Sequence, residues 1–194
     1  VFQSLCEPGA KKRWSMPKEE DIIGCKIAAI DPFFLEETQA TAELCVKYNK
    51  SYVTIDSKHD SYLHQHCAVN VVSKECTESD GYKDKSIEEI YELLVASTDG
   101  LVIITSGGND MIYGRKGQLM KRMKPFSVDV KSTLGAGDTF KAGCVYGLLH
   151  GMEDDELVRF ASACSAIAIS RFPLPLNPPT LLEVNSLLEN TKNK

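Results

Sequence analysis

The sequence predicts an α/β fold: a mostly parallel central sheet with helices on both faces, a three-layer α/β/α arrangement. Three observations carry this. Short apolar runs such as residues 100–105 alternate with segments of helical periodicity. The lengths between those runs suit right-handed crossovers joining parallel neighbours. Residues 139–149 form a helix whose Phe140, Ala142, Val145, Tyr146, Leu148 and Leu149 leave almost no polar face, the pattern of a buried helix.

The elements follow in order. Residues 26–30 read as a short buried strand, and residues 36–49 as a helix with Ala40, Leu44, Cys45 and Tyr48 at helical spacing. Residues 51–55 are β-prone and end at Asp56; residues 68–72 form the next apolar strand. Ser86 and Glu89 make a capping box that opens a helix over 86–96. After the strand at 100–105, residues 111–113 and 119–123 read as a hairpin around Gly114 and Gly117. Residues 126–130 are β-prone, residues 139–149 and 156–170 are helical, and a last helix spans 180–190 after the Pro-rich turn 173–179. The first twenty residues show no clear periodicity. With no repeat and no low-complexity linker, residues 1–194 read as a single α/β domain.

Composition narrows the function. Lys and Arg number 22 against 27 Asp and Glu, a formal net charge of -5. Coating a nucleic acid calls for a basic face, so that class of partner is not expected. No apolar run approaches the roughly 20 residues of a membrane span, and the first residues do not read as a signal peptide. Seven cysteines, odd in number and without a CxxC pair, point to a reducing cytoplasm rather than a disulfide framework. His59, His64, His66 and Cys67 fit no common zinc spacing and read as a solvated loop before a strand. Lys121, Arg122 and Lys124 read as a solvated hairpin edge, and the acidic run 153–156 as complementing a helix dipole. Asp56, at the carboxyl end of a strand, either approaches phosphates through magnesium or merely ends the strand.

The chemically richest segment is Ser132-Thr133-Leu134-Gly135-Ala136-Gly137-Asp138-Thr139-Phe140. Gly135 and Gly137 let the backbone approach a ligand closely. Free N–H groups and the positive dipole end at a helix start favour an anion. Asp138, in the first turn, is placed to take a proton from a hydroxyl attacking a phosphoryl group. A tight turn with Asp138 as an acid near the cap is the competing reading. No Gly-Lys-Ser/Thr follows, so this is not a Walker A loop.

Residues 133–140 resemble the signature of the ribokinase-like, or PfkB, sugar kinases: an Asp-Thr-x-Gly-Ala-Gly-Asp turn, an aromatic residue and a small-residue helix. Val102-Ile103-Ile104-Thr105-Ser106-Gly107-Gly108 resembles the family's strand ending in Thr-x-Gly. Residues 160–171 resemble its small-residue helix flanking the adenine. The resemblance covers residues 22–194 and implies a ribokinase-like fold. It implies Asp138 as catalytic base and Gly135, Ala136 and Gly137 as anion hole. Thr105, Gly107 and Gly108 would lie along the nucleotide, with Ser162 and Ala163 beside the adenine, although small residues there equally suit close helix packing. It further implies transfer of the γ-phosphoryl of ATP to a hydroxyl of a sugar or similar small molecule, with Mg²⁺ and in many members K⁺. A homodimer formed through a lid is a further implication. The family's N-terminal substrate and lid region is not recognisable, so the chain reads as the C-terminal part of such a protein, truncated at its N-terminus. Three positions of these motifs depart from the pattern. Ser132 stands where the family has an acid, and Ser73 and Cys76 stand where it has Asn and Glu. Glu75, Glu78 and Ser132 remain the candidates near a metal. A non-catalytic nucleotide- or sugar-binding module, or an inactive fragment of such a kinase, is the alternative reading.

Overall fold

The computed structural model describes residues 15–191. Its strands form one sheet in chain order: β1 Ile27–Ile30, β2 Ser51–Ile55, β3 Val69–Val72, β4 Leu101–Ile104, β5 Met111–Gly114 and β6 Lys121–Met123. β1 to β4 are parallel, with Val53 opposite Val69 and Val71 opposite Ile103. β5 returns antiparallel on β4, and β6 on β5. The parallel crossovers run through α2 Glu36–Lys47, through the single turn α3 Tyr62–Gln65, and through α4 Lys74–Thr77 followed by α5 Ile87–Ala96. α1 Glu19–Gly24 precedes β1, while α6 Ala136–Leu149, α7 Asp154–Ile169 and α8 Leu181–Asn190 follow β6.

Alternation along the strands separates two buried faces. Val53, Val69, Val71, Leu101 and Ile103 pack against Phe140 and Cys144 of α6 and Leu157 and Ala161 of α7. On the other face Val72, Val102 and Ile104 meet Ile90, Tyr91 and Leu94 of α5. Tyr52 and Ile30 meet Ala42 and Cys45 of α2. Fully burying side chains of this size stabilises by roughly 1.5–3 kcal/mol each, which is why strands covered on both sides are apolar throughout. α8 backs α7 through Val184.

The α6–α7 pair sets the position of the site. A Cβ at Gly143 would lie 2.7 Å from the Ala161 Cα, so only glycine lets the two helix backbones come this close. α6 also lies against β1, β2 and β3. In its first turn a Cβ at Gly137 would lie 3.0 Å from Ile55, the last residue of β2, so this turn stands over the carboxyl ends of the parallel strands, where open α/β sheets bind ligands. The predicted capping box forms: Ser86 Oγ accepts the Glu89 N–H at 3.2 Å, and Glu89 Oε2 accepts the Ser86 N–H at 2.7 Å.

Several expectations are corrected. The segment expected as a solvated histidine loop contains α3, and His64 is fully buried. His64 Nε2 donates to the Leu94 carbonyl at 2.9 Å, and Nδ1 accepts from Asn70 Nδ2 at 2.8 Å. With both ring nitrogens paired the imidazole is satisfied inside the protein; His66 stays exposed. Residues 126–130 form no strand. Just after them the Lys131 and Ser132 N–H groups donate to the Ile169 carbonyl at 2.8 and 3.2 Å, tying the approach to the glycine turn onto the end of α7. α6 begins at Ala136 rather than Thr139. It is not buried all round, since Ala142 is exposed and Leu149 is 46% exposed. α1 has no counterpart in the sequence reading. The acidic start of α7 does more than offset the dipole: Asp154 holds Arg115 through two bonds of 2.7 and 2.8 Å. Lys121 and Arg122 lie exposed on the edge strand β6, as expected, and pair there with Asp155 and Glu88, each at 2.7 Å. The six described cysteines are free thiols, as expected; Cys6 lies outside the described residues. Among the described residues no helix is long and apolar enough to cross a membrane.

Candidate active site

The glycine turn is built from both sides. Gly135 caps α6 with φ +80, in the left-handed region, and its carbonyl accepts both the N–H and the hydroxyl of Thr139 at 2.9 and 2.8 Å. Ser132 Oγ accepts the Leu134 N–H at 3.3 Å. From α7, Ser165 donates its hydroxyl to the Ala136 carbonyl at 3.1 Å. The Ala136 N–H is engaged within the turn by the Thr133 carbonyl at 3.1 Å. The N–H groups of Gly135, Gly137 and Asp138 have no acceptor among the described residues. Unpaired amides at a helix start favour an anion.

Asp138 stands beside these amides with its side chain 75% exposed. Its ion-pair partner among the described residues is Lys141, whose Nζ lies 3.8 Å from Asp138 Oδ1 and 2.5 Å from Asp31 Oδ1. Asp31 follows β1, and its carbonyl accepts the Thr38 hydroxyl at 2.6 Å.

The remaining candidates divide. Thr105 sits at the carboxyl end of β4, its N–H donating to the Val72 carbonyl at 2.9 Å. Gly107, with φ +60, and Gly108 lie exposed in the loop that follows. These residues open onto the same end of the sheet as the glycine turn. Ser162 and Ala163 do not: Ser162 is 3% exposed and Ala163 is fully buried in the cluster with Phe160 and Val184. Ala163 packs there between α7 and α8.

Beside β2 and β3, Asp56 adopts φ +49 and its Oδ1 accepts the Ser73 N–H at 2.6 Å. Burial raises its carboxyl above the ordinary value, against the lowering effect of the Ser73 bonds, and Glu75 and Asp31 add repulsion. Ser73 Oγ accepts the Cys76 N–H at 3.1 Å. Burial pushes the Cys76 thiol up to about 11, so it is neutral near pH 7. Magnesium takes hard oxygen ligands, and a protonated thiol with a serine committed to a helix cap does not fit it. Glu75 and Glu78 are exposed, Glu78 pairing with Lys74 at 3.4 Å. No cluster of three or more His, Cys, Asp or Glu side chains that could hold a metal ion occurs among the described residues.

Two cavities lie apart from the turn. One, of about 340 Å³, is lined by Gln65, Cys67, Asp99 and Arg115 at the amino end of the sheet. The other, of about 380 Å³, lies on the α5 face between Lys74, Ser106, Asn109 and Arg122.

Comparison with known proteins bears on this arrangement. The model of the pfkB family of carbohydrate kinases matches residues 32–178, most of the chain and all of the glycine turn. The chain belongs to the pfkB carbohydrate kinase family. A 5-dehydro-2-deoxygluconokinase from Shouchella clausii is 33% identical over 103 residues, 53% of this chain and 31% of that protein. Among solved structures, the ribokinase of Thermotoga maritima superposes with a TM-score of 0.77 at 19% identity, over 90% of this chain and 60% of its own. A provisionally named ribokinase II from E. coli, in complex with ATP and Mg²⁺, superposes with a TM-score of 0.75 at 14% identity, over 89% of this chain and 61% of its own. The fold is ribokinase-like, and the chain spans about a third of that curated relative and about six-tenths of these structures.

Asp31 and Lys141 were missed by the sequence reading. The signal was present in part: an Asp-Pro pair directly after an apolar strand, and one cation in an otherwise apolar helix. Neither alone points to the other, 110 residues away.

Proposed function

We propose that this chain carries the catalytic end of a kinase that transfers the γ-phosphoryl of ATP to a hydroxyl of a sugar or related small molecule. The observation that carries the reading is Asp138 at the head of α6, beside the unpaired amides of Gly135 and Gly137 and over the carboxyl ends of the parallel strands. Family membership supports a carbohydrate acceptor, and the ATP complex of a structural neighbour supports the donor.

In this reading Asp138 accepts the proton of the acceptor hydroxyl. The oxygen so freed attacks the γ-phosphorus, and the bond from that phosphorus to the bridging oxygen breaks, leaving ADP and a phosphate ester. The amides of Gly135 and Gly137, aided by the helix dipole, stabilise the charge on the transferred group. Thr105, Gly107 and Gly108 border the nucleotide. Magnesium carried by ATP would neutralise phosphate charge, and the Ser73–Cys76 set does not suit that ion. Ser132, being neutral, makes any monovalent-cation site weaker than an acid would.

A non-catalytic binding module is the second reading, favoured by the neutral Cys76 thiol. ADP release with MgATP and K⁺ across a panel of sugars and nucleosides decides between them. Acceptor-dependent ADP release supports the kinase; ATP binding without turnover for any acceptor supports the module.

A further inference from the structure

We propose that Lys141 is a positioning residue for Asp138, held in place by Asp31; this rests on the reading of Asp138 as the base. Lys141 interrupts an apolar stretch of α6, and its side chain is only 9% exposed. Burying an ammonium is costly unless it is paired. Lys141 meets that need through Asp31 Oδ1 at 2.5 Å. An ammonium carries three donors, so the Asp31 contact leaves others free. The other carboxylate within reach is Asp138, 3.8 Å away and three residues earlier on the same helix, the spacing at which helix side chains face each other.

Asp31 is itself fixed. Its carbonyl accepts the hydroxyl of Thr38, which is 4% exposed in α2. Thr38, Asp31 and Lys141 thus link α2, the end of β1 and the first turns of α6. Asp138 contrasts with them: it is mostly exposed, and Lys141 is its only ion-pair partner among the described residues. A tethered cation therefore stands beside an otherwise free carboxylate. It limits the orientations Asp138 samples relative to the Gly135 and Gly137 amides, and such alignment of reacting groups is worth large factors in rate. A clamp between helix and sheet would need Asp31 alone.

The test is steady-state phosphoryl transfer by the protein as its gene encodes it, with thermal unfolding of every variant. Lys141→Met is expected to lower kcat by about tenfold or more while KM for ATP and acceptor stays within about twofold. Asp31→Asn lowers kcat less, Lys141→Arg restores part of the loss, and the Asp31→Asn/Lys141→Met pair is no worse than Lys141→Met alone. Unchanged kcat in both Lys141→Met and Asp31→Asn overturns the proposal, whatever their melting temperatures. Where Lys141→Met does not fold, Asp31→Asn decides: a lower kcat at unchanged KM supports positioning, and an unchanged kcat overturns it. Asp138→Asn separates the two failures. Undiminished turnover there overturns the base assignment and the positioning role together. Loss of turnover there with normal kcat in the Lys141 and Asp31 variants overturns the positioning role alone.

Discussion

Two charged pairs tie the helices to opposite ends of the sheet, and they are built differently. At the amino end of the parallel strands, Arg115 grips Asp154 through two bonds of 2.7 and 2.8 Å and adds the Asp99 carbonyl at 3.1 Å. At the carboxyl end, Lys141 makes one contact of 2.5 Å to Asp31 and stands 3.8 Å from Asp138. The planar guanidinium uses its fork on one partner, the geometry of a fixture. The ammonium is the more buried of the two cations, 9% exposed against 30%, yet keeps donors uncommitted next to an exposed carboxylate. The amino end uses its charges to hold α7 to β5, and the carboxyl end leaves Lys141 donors uncommitted beside the exposed Asp138.

That contrast can be broken in stages. The largest stability effect belongs to the backbone that serves both ends. Gly143→Val places carbon within 2.7 Å of the Ala161 backbone, and forcing α6 from α7 is expected to cost about 3 kcal/mol. Chemical denaturation reads this as a lower midpoint, and an unchanged midpoint would show that the helices separate freely. Next, Arg115→Met removes the amino-end pair and leaves Asp154 without it. Because the pair is partly exposed, a loss of about 2 kcal/mol is expected rather than the full cost of a buried one. The same variant leaves kcat unchanged; a fall in kcat there would erase the distinction between the two ends.

The smallest effect concerns the α5 face, where His64 is buried between β3 and α5. Burial lowers its pKa below 6.5, against the Leu94 bond, with His59 adding repulsion. The folded state thus binds this proton more weakly than the unfolded chain does. The stability this contributes is present above pH 6.5 and is lost as pH falls through the folded value. His64→Gln is expected to flatten the acid side of the stability profile relative to the unaltered protein, measured by denaturation between pH 7 and pH 5. An equally steep acid side would place the responsible group elsewhere.

The histidine also marks where the sequence stops being readable. The apolar strands, the capping box at Ser86 and the glycine turn are local patterns, each set by neighbours within a few residues, and the structure has them. His64 looked solvated because its partners are Asn70 and the Leu94 carbonyl, the second of them 30 residues away. Lys141 and Asp31 are further apart still. Residues 126–130 carry β-prone side chains but no strand to pair with, and propensity alone does not make a ladder. Within the candidate site, Asp138 and the glycines were legible because helix-start chemistry is local. The burial of Ala163 was not, because small residues read the same against a ligand and against α8.

The central claim is that the head of α6 is where phosphoryl transfer occurs, with Asp138 as the base. The most direct test is acceptor-dependent ADP release by the protein and its Asp138→Asn variant, which keeps size and removes the carboxylate. A positioned general base contributes about 10²–10⁴-fold, so kcat is predicted to fall by about that factor while ATP binding persists. Turnover by the variant at the rate of the unaltered protein would contradict the account.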